Sequence, residues 1–505
     1  PVKNFLSASL PEYMVPSYFI KTERIPLTAN GKIDKKMLPP VIQNIATGEI
    51  FETPANKLEA ELLEFWQEVL STESISIRDN FFDLGGNSIL LVKLHAKING
   101  RYPGIMELTD LFTKSRISEQ AEFIAAKLSD KSVQYVKSPE SKTGRPASND
   151  IAIIGIASRI GDCSTPDEFW SDLALGIDFI GDMPSSRIPD IEELALRYNI
   201  KSDSLKLREL CYLNEVDKFD YSFFKLSPGE ASLIDPGQRL FMETACHALE
   251  DAGYGGSKLW GSKTGVFIGA SDNLSEYAKF IEASEINDPN LLLAAQTPSI
   301  LAARLPYFLN LKGPALLVDT ACSSSLVALH LACQSIREGK IDSALVGGIK
   351  LHLLPIDTGS RLEIDSSDGR GHSFDDSANG TGGGEGVIAV FIKPLESALQ
   401  DNDHIYAVIK GSEINQDGNS IGITAPDADA QAEAIEKAWI DAGIEPRTVS
   451  YIETHGTATR LGDPIEIDGI TKAFRKYTPD KNFCAIGAVK ANVGHLDTAA
   501  GMAGL

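Results

Sequence analysis

A cysteine set between an apolar strand and an amphipathic helix is a candidate nucleophile. Cys322 holds that position in the run Val318-Asp319-Thr320-Ala321-Cys322-Ser323-Ser324-Ser325-Leu326. A free thiol titrates near pH ~8.5, so little of it is thiolate at neutral pH. The dipole and free N–H groups of a helix N-terminus lower that value, which predicts a thiol that ionises readily. Small neighbours leave room for a bulky acyl group. The alternative is an inert, buried cysteine, a common fate of free thiols.

Three further sets of residues could do chemistry. In Asp79-Asn80-Phe81-Phe82-Asp83-Leu84-Gly85-Gly86-Asn87-Ser88, aromatics anchor a loop, glycines turn it, and Ser88 stands where a helix begins. Ser88 is either an ordinary helix cap or an exposed hydroxyl for a phosphate-linked arm, with the phosphate at the helix N-terminus. Lys32 follows the tight-turn pair Asn30-Gly31, which would expose it at a hairpin tip, as a solvated lysine or as an anion contact. His455 and His495 lie in glycine-containing loops at or just after apolar strand runs, where α/β sites form. The other six histidines, His95, His247, His330, His352, His372 and His404, read as core or surface.

The elements that must position these residues fall into regions. Residues 1–50 are rich in proline, with an extended run at Tyr18–Ile25 before the Asn-Gly turn. Residues 55–130 show helical spacing at Lys57–Leu70, Ser88–Ile98, Glu107–Phe112 and Ser118–Leu128, which predicts a four-helix bundle. Residues 131–149 have the composition of a linker, with a reach of roughly 70 Å fully extended. Residues 150–505 alternate strand and helix, a layered α/β pattern. Ile151–Ala157, Val266–Gly269, Ala315–Val318, Ala344–Gly347, Val387–Ile392, Val449–Ile452 and Cys484–Val489 read as buried strands, and Pro236–Ala252, Ser323–Glu338 and Ala430–Ala442 as helices.

Composition narrows the class. The formal net charge of −23 argues against nucleic-acid binding. No apolar run reaches the ~18 residues that span a bilayer. Six cysteines without CxxC pairs suggest neither zinc nor a disulfide framework and fit a reducing cytosol, so the expected location is cytoplasmic. Gly380-Thr381-Gly382-Gly383-Gly384-Glu385-Gly386 precedes a strand instead of following one, so it reads as close backbone packing and not as a dinucleotide loop.

The Asp79–Ser88 decapeptide resembles the attachment loop of carrier domains in nonribosomal peptide and polyketide synthases, with Asn87 where those have His or Asp. The resemblance implies 4′-phosphopantetheine on Ser88, placed there by a phosphopantetheinyl transferase. Leu10–Pro16 and Asn30–Lys36 resemble the C-terminal tail of an adenylation domain, which implies an upstream adenylation core and an anion-contacting role for Lys32.

Residues 150–505 resemble a modular β-ketoacyl synthase of thiolase-like fold. The resemblance rests on Phe219–Phe224, Asp235–Arg239, the Cys322 run, Phe374–Gly380, Glu453–Thr459, Gly462–Pro464 and Val489–His495. Gly237, Ala458 and Ala491 depart from the residues usual there. The family likeness implies Cys322 as the thioester-forming nucleophile and His455 and His495 as hydrogen-bond donors to an enolate. It implies Lys490 as the organiser of the site and the Cys322 N–H as half of an oxyanion hole. It also implies a homodimer, a downstream carrier, and an acyltransferase acting in cis or in trans, with Asp463–Tyr477 resembling ketosynthases served by a separate one. In such enzymes the fold continues beyond the point matching Leu505, so the chain alone is expected to be inactive. The expected function is extension of an aminoacyl or peptidyl chain from Ser88 by decarboxylative condensation. The alternatives are simple transfer without extension, or a carrier and docking scaffold.

Overall fold

The computed structural model describes residues 51–129 except 73, and 149–505 except 198–204, 272–273, 284–294, 296, 358–363, 419 and 421–424. Lys32, the adenylation-like tail and nearly all of the expected linker lie outside the described residues. The chain divides into two compact units at Gln134.

The first unit is helical. Its helices are Lys57–Leu70, Ser88–Arg101, Leu108–Thr113 and Ile117–Ser129. Asn56 caps the first by accepting the Glu59 N–H at 2.9 Å. Leu62, Trp66, Phe81, Leu91, Leu94, Ile98, Leu111 and Ile124 are fully buried and make its core. The rings of Trp66 and Phe81 meet edge to face at 5.0 Å.

The second unit is built on strands β1 (Ile151–Ile160), β2 (Ile180–Gly181), β3 (Leu210–Cys211), β4 (Thr264–Gly269), β5 (Ala315–Val318), β6 (Ser343–Lys350), β7 (Gly386–Pro394), β8 (Ala407–Ile409), β9 (Tyr451–Glu453) and β10 (Ala485–Gly487). Six of them form one sheet in the order β5-β4-β6-β7-β1-β8. Strands β5, β4 and β6 run parallel, whereas β7 is antiparallel to both β6 and β1. The period-2 alternation of β1 explains the layers. Ala152 and Ile154 pack into the core that holds Leu240, Phe241 and Ala245 of helix Pro236–Asp251. Ile151 and Ile153 pack into the core that holds Ala328, Ala332 and Ile336 of helix Ser324–Arg337.

Three strands depart from the sequence reading: β5, and also β9 and β10, which were expected to be buried but leave Tyr451 53% and Ile486 41% exposed. The sequence predicts a buried strand at Ala315–Val318, yet β5 is the sheet edge, with Ala315 exposed and Leu316 43% exposed. Apolar composition alone does not separate a strand buried by its own chain from one at an edge. Strands β9 and β10 pair parallel with one another as a separate two-stranded sheet.

Candidate active site

The turn after β5 presents Cys322. Ala321 just before it adopts a left-handed backbone, φ 56°, a conformation strained for a residue with a side chain. Ser324 holds this turn shut. Its buried hydroxyl accepts the Thr320 N–H at 2.9 Å and donates to the Ala321 carbonyl at 2.6 Å. Two glycines let the helix start so close to the sheet. A Cβ on Gly269, at the end of β4, would lie 2.5 Å from the Ser325 nitrogen. One on Gly348, its partner on β6, would lie 2.8 Å from Ala499 Cα. Met502 donates its N–H to Ser325 Oγ, which ties the 497–504 segment to the same turn.

Three loops converge there. The Cys322 Sγ, a ring nitrogen of His455 and a ring nitrogen of His495 all lie within 4.8 Å of one another. The two rings meet edge to face with centroids 5.5 Å apart. His495 Nδ1 accepts the Asp497 N–H at 2.9 Å, so its proton sits on Nε2. Asp497 is itself held by Lys350 at 2.7 Å. The glycine run packs against this loop as the sequence suggested: the His495 backbone N–H donates to the Gly382 carbonyl, and a Cβ on Gly384 would meet the Val493 oxygen at 2.2 Å.

His455 is fixed through its backbone. Glu466 accepts the His455 N–H at 2.5 Å and the Gly456 N–H at 2.8 Å. The Phe374–Gly380 motif and the serine before it buttress the same loop. Ser373 donates to the Gly456 carbonyl at 2.6 Å and Gly380 to that of Ala458 at 2.9 Å. Lys490 is buried at the start of the short helix Lys490–Val493, and Glu453 and Glu466 are its stabilising charges.

Electrostatics set the protonation states. Desolvation and the Lys490 charge push His455 down to about 3 and His495 to about 4. His455 keeps part of its surface open, but it sits in a recess crowded by protein, and the neighbouring Lys490 opposes a second cation. Both rings are neutral at pH 7. Lys490 is lowered by burial, with Glu453, Glu466 and Cys322 pulling the other way. The Cys322 thiol corrects the sequence expectation: it is raised, because burial outweighs its own backbone N–H and the Lys490 charge. The regular helix begins only at Ser324, so Cys322 stands outside the first turn, where the dipole acts most strongly.

Four of the other histidines lie elsewhere. His330 bonds Ser412, His372 faces Asp368, His404 meets the Tyr406 ring edge to face, and His95 bonds the Met106 carbonyl. Sequence reasoning missed Glu466, Ser324, and the Lys350–Asp497 pair. A carboxylate within a helix, or a serine among serines, carries no sign of a tertiary partner.

In the first unit, Ser88 is the first residue of its helix. Asn87 accepts the Leu90 N–H at 3.1 Å, so the capping role belongs to Asn87. The loop before it lies flat on Phe81, whose ring would sit 2.3 Å from a Cβ on Gly86. Among the described residues no helix is long and apolar enough to cross a membrane.

Fold and site together define a ketosynthase of the thiolase-like class, preceded by a carrier domain. Residues 148–398 match the N-terminal domain of β-ketoacyl synthases, residues 406–505 the C-terminal domain, and residues 60–124 a phosphopantetheine attachment site. The chain thus belongs to the β-ketoacyl synthase family and is homologous to hybrids of polyketide synthases and nonribosomal peptide synthetases. The attachment domain implies covalent 4′-phosphopantetheine.

The chain is 36% identical to the PKS-NRPS hybrid synthetase ATPKS of Aspergillus niger, over 100% of its own length and 27% of that protein. It is 40% identical to the polyketide synthase PksM of Bacillus subtilis, over 92% of the chain and 11% of that protein. Ketosynthase twelve of the bacillaene synthase of Bacillus amyloliquefaciens superposes with a TM-score of 0.63 at 36% identity, covering 71% of this chain and 61% of that one. The ketosynthase of module 6 of the Bacillus subtilis bacillaene synthase gives 0.60 at 40% identity, covering 70% and 59%.

Proposed function

We propose that Cys322, His455, His495 and Lys490 carry out decarboxylative condensation on an acyl chain delivered from a 4′-phosphopantetheine arm on Ser88. The observation that carries this reading is the meeting of the Cys322 sulfur with a nitrogen of each histidine within 4.8 Å. Asn87 caps the carrier helix by accepting the Leu90 N–H. The arm supplies the thiol that presents the acyl group as a thioester.

Cys322 Sγ attacks the thioester carbonyl carbon. A new C–S bond forms, the donor's C–S bond breaks, and the departing sulfur takes up the Cys322 proton. The chain then waits on Cys322. When a malonyl-type thioester enters, its carboxylate leaves as carbon dioxide and the freed electron pair becomes an enolate. His495, with its proton on Nε2, donates to the enolate oxygen, and neutral His455 lies beside it. Lys490 adds a positive field that favours the anion over a second cation. The enolate carbon attacks the Cys322 thioester, a C–C bond forms, and the Cys322 C–S bond breaks. The product is a β-ketoacyl chain on the incoming carrier.

The substrate is an aminoacyl or peptidyl chain, and the partners are a phosphopantetheinyl transferase, an upstream adenylation core, a downstream carrier and an acyltransferase. A second copy of the ketosynthase pairs on the exposed apolar edge of β5. The Cys322→Ala protein should no longer gain the acyl mass on its ketosynthase region when offered an acyl thioester, as read by intact-protein mass spectrometry. Persistent loading there would remove Cys322 as the nucleophile. Carbon dioxide release from a malonyl thioester separates condensation from simple transfer.

A further inference from the structure

A second feature sits at the same end of the sheet. A cavity of about 60 Å³ opens beside the C-terminal ends of β4, β5 and β6, the end from which Cys322 emerges. It has room for more than one water-sized group. Much of its wall is apolar, including Leu301, Leu317 and Leu351. Asp235, Gln238 and Glu276 are polar groups on it. Two of them are already engaged: Asp235 accepts the Gly237 N–H at 2.8 Å, and Glu276 accepts the Leu353 N–H at 2.9 Å. Gln238 is different. It is 2% exposed, and neither its side-chain oxygen nor its nitrogen has a hydrogen-bond partner. A buried carboxamide is seldom left so.

The space in front of Gln238 is kept open by its neighbour. Gly237 also lines the cavity, and a Cβ there would lie 3.0 Å from both Asp235 Oδ1 and Ile349 Cγ2. One residue links the reactive centre to the cavity. Lys350 lines it and pairs with Asp497, whose N–H fixes His495.

We propose that Gln238 is a specificity residue whose side chain pairs with an amide group of the acyl chain held on Cys322, so that the site selects amide-bearing chains over plain hydrocarbon ones. This deepens, and rests on, the reading of Cys322 as the acyl carrier. A carboxamide offers one acceptor and a donor face. A peptide group offers the complementary donor and acceptor, so the two close a reciprocal pair. A hydrocarbon chain in the same place would leave the Gln238 amide buried and unpaired, a mismatch that hydrogen-bonding sites reject strongly.

The test is acyl loading of the whole protein from two synthetic thioesters of equal length. One carries an N-acylaminoacyl group, and the other has the amide replaced by methylenes. Loading on Cys322 is followed by intact-protein mass spectrometry, with Cys322→Ala as the control. The wild-type protein should load the amide-bearing thioester at least about tenfold faster. In Gln238→Met, which keeps the volume and removes both hydrogen-bonding atoms, the ratio of the two rates should fall to near one. Should that variant not fold, Gln238→Glu keeps the shape and loses the donor, and the ratio should again fall. Equal rates in the wild-type protein, or an unchanged ratio in a folded variant, would overturn the proposal and leave a cavity that holds water only. Loading that survives Cys322→Ala would instead remove the reading on which the proposal rests.

Discussion

Ala458 has a left-handed backbone, φ 57°, beside the His455 loop. A side chain in that conformation is strained by about 1–2 kcal/mol. The methyl group is fully buried, and its loss removes about 0.8 kcal/mol of burial. The relief of strain outweighs that loss, so Ala458→Gly should stabilise the protein by up to about 1 kcal/mol, read as a rise in the urea midpoint. A fall would mean that the methyl contact outweighs the strain. Cys322 gives a second prediction at this scale. Its thiol is raised by burial, so its alkylation rate should keep climbing through pH 7 and 8, toward and beyond the ordinary value of about 8.5. A plateau below pH 7 would restore the dipole-activated thiol that the sequence alone suggested. The histidines are held below the ordinary imidazole range, so they stay neutral across this window and add no inflection near 6.5.

The elements that hold the site depend on one buried ion pair. Glu385, immediately before β7, has no exposed surface and receives both terminal nitrogens of Arg187, at 2.7 and 2.9 Å. It also accepts the backbone N–H groups of Leu213 and His352. Four donors on one carboxylate join segments far apart in the chain. Removing one charge of such a pair leaves the other buried and uncompensated, so Glu385→Gln should lower stability by about 3–5 kcal/mol. Chemical denaturation checks this, and a loss below about 1 kcal/mol, the scale of a surface pair, would show that Arg187 finds other partners. Neither residue was legible in the sequence, because an ion pair across such a separation has no local spacing. What was legible followed from local rules. Ala315–Val318 is a continuous apolar run and Lys57–Leu70 carries the helical period, and the observed bounds match the expected ones. Helix Ser324–Arg337 starts one residue later than its pattern suggested, and that shift places Cys322 outside the helical turn. Cys322 was legible as a thiol between a strand and a helix, and His455 and His495 as types in glycine-containing loops, but their convergence is a product of the tertiary fold. The 407–409 strand, three residues long, went unseen.

For the molecule as a whole, β5 poses the question of what covers it. Sheet edges present unpaired backbone groups, and soluble proteins shield them with charge, bulges or a partner. Here the edge carries Ala-Leu-Leu-Val, without a charge, and Leu316 is 43% exposed. On the neighbouring helix Pro298–Leu309, Tyr307 is 91% exposed. An apolar edge beside an exposed aromatic fits a self-complementary interface, in which the same strand of a second copy lies alongside. The turn that presents Cys322 begins at the end of that strand, so pairing would also stiffen the segment that carries it. Leu316→Lys places a charge on the proposed contact but takes little from the core of a single copy, since the side chain is already half open. The wild-type protein should therefore run as a dimer in light scattering and the variant as a folded monomer, with unchanged helix content by circular dichroism. Acyl loading of the monomer should be slower, because the turn loses its support. A variant that stays dimeric would place the interface elsewhere on the molecule.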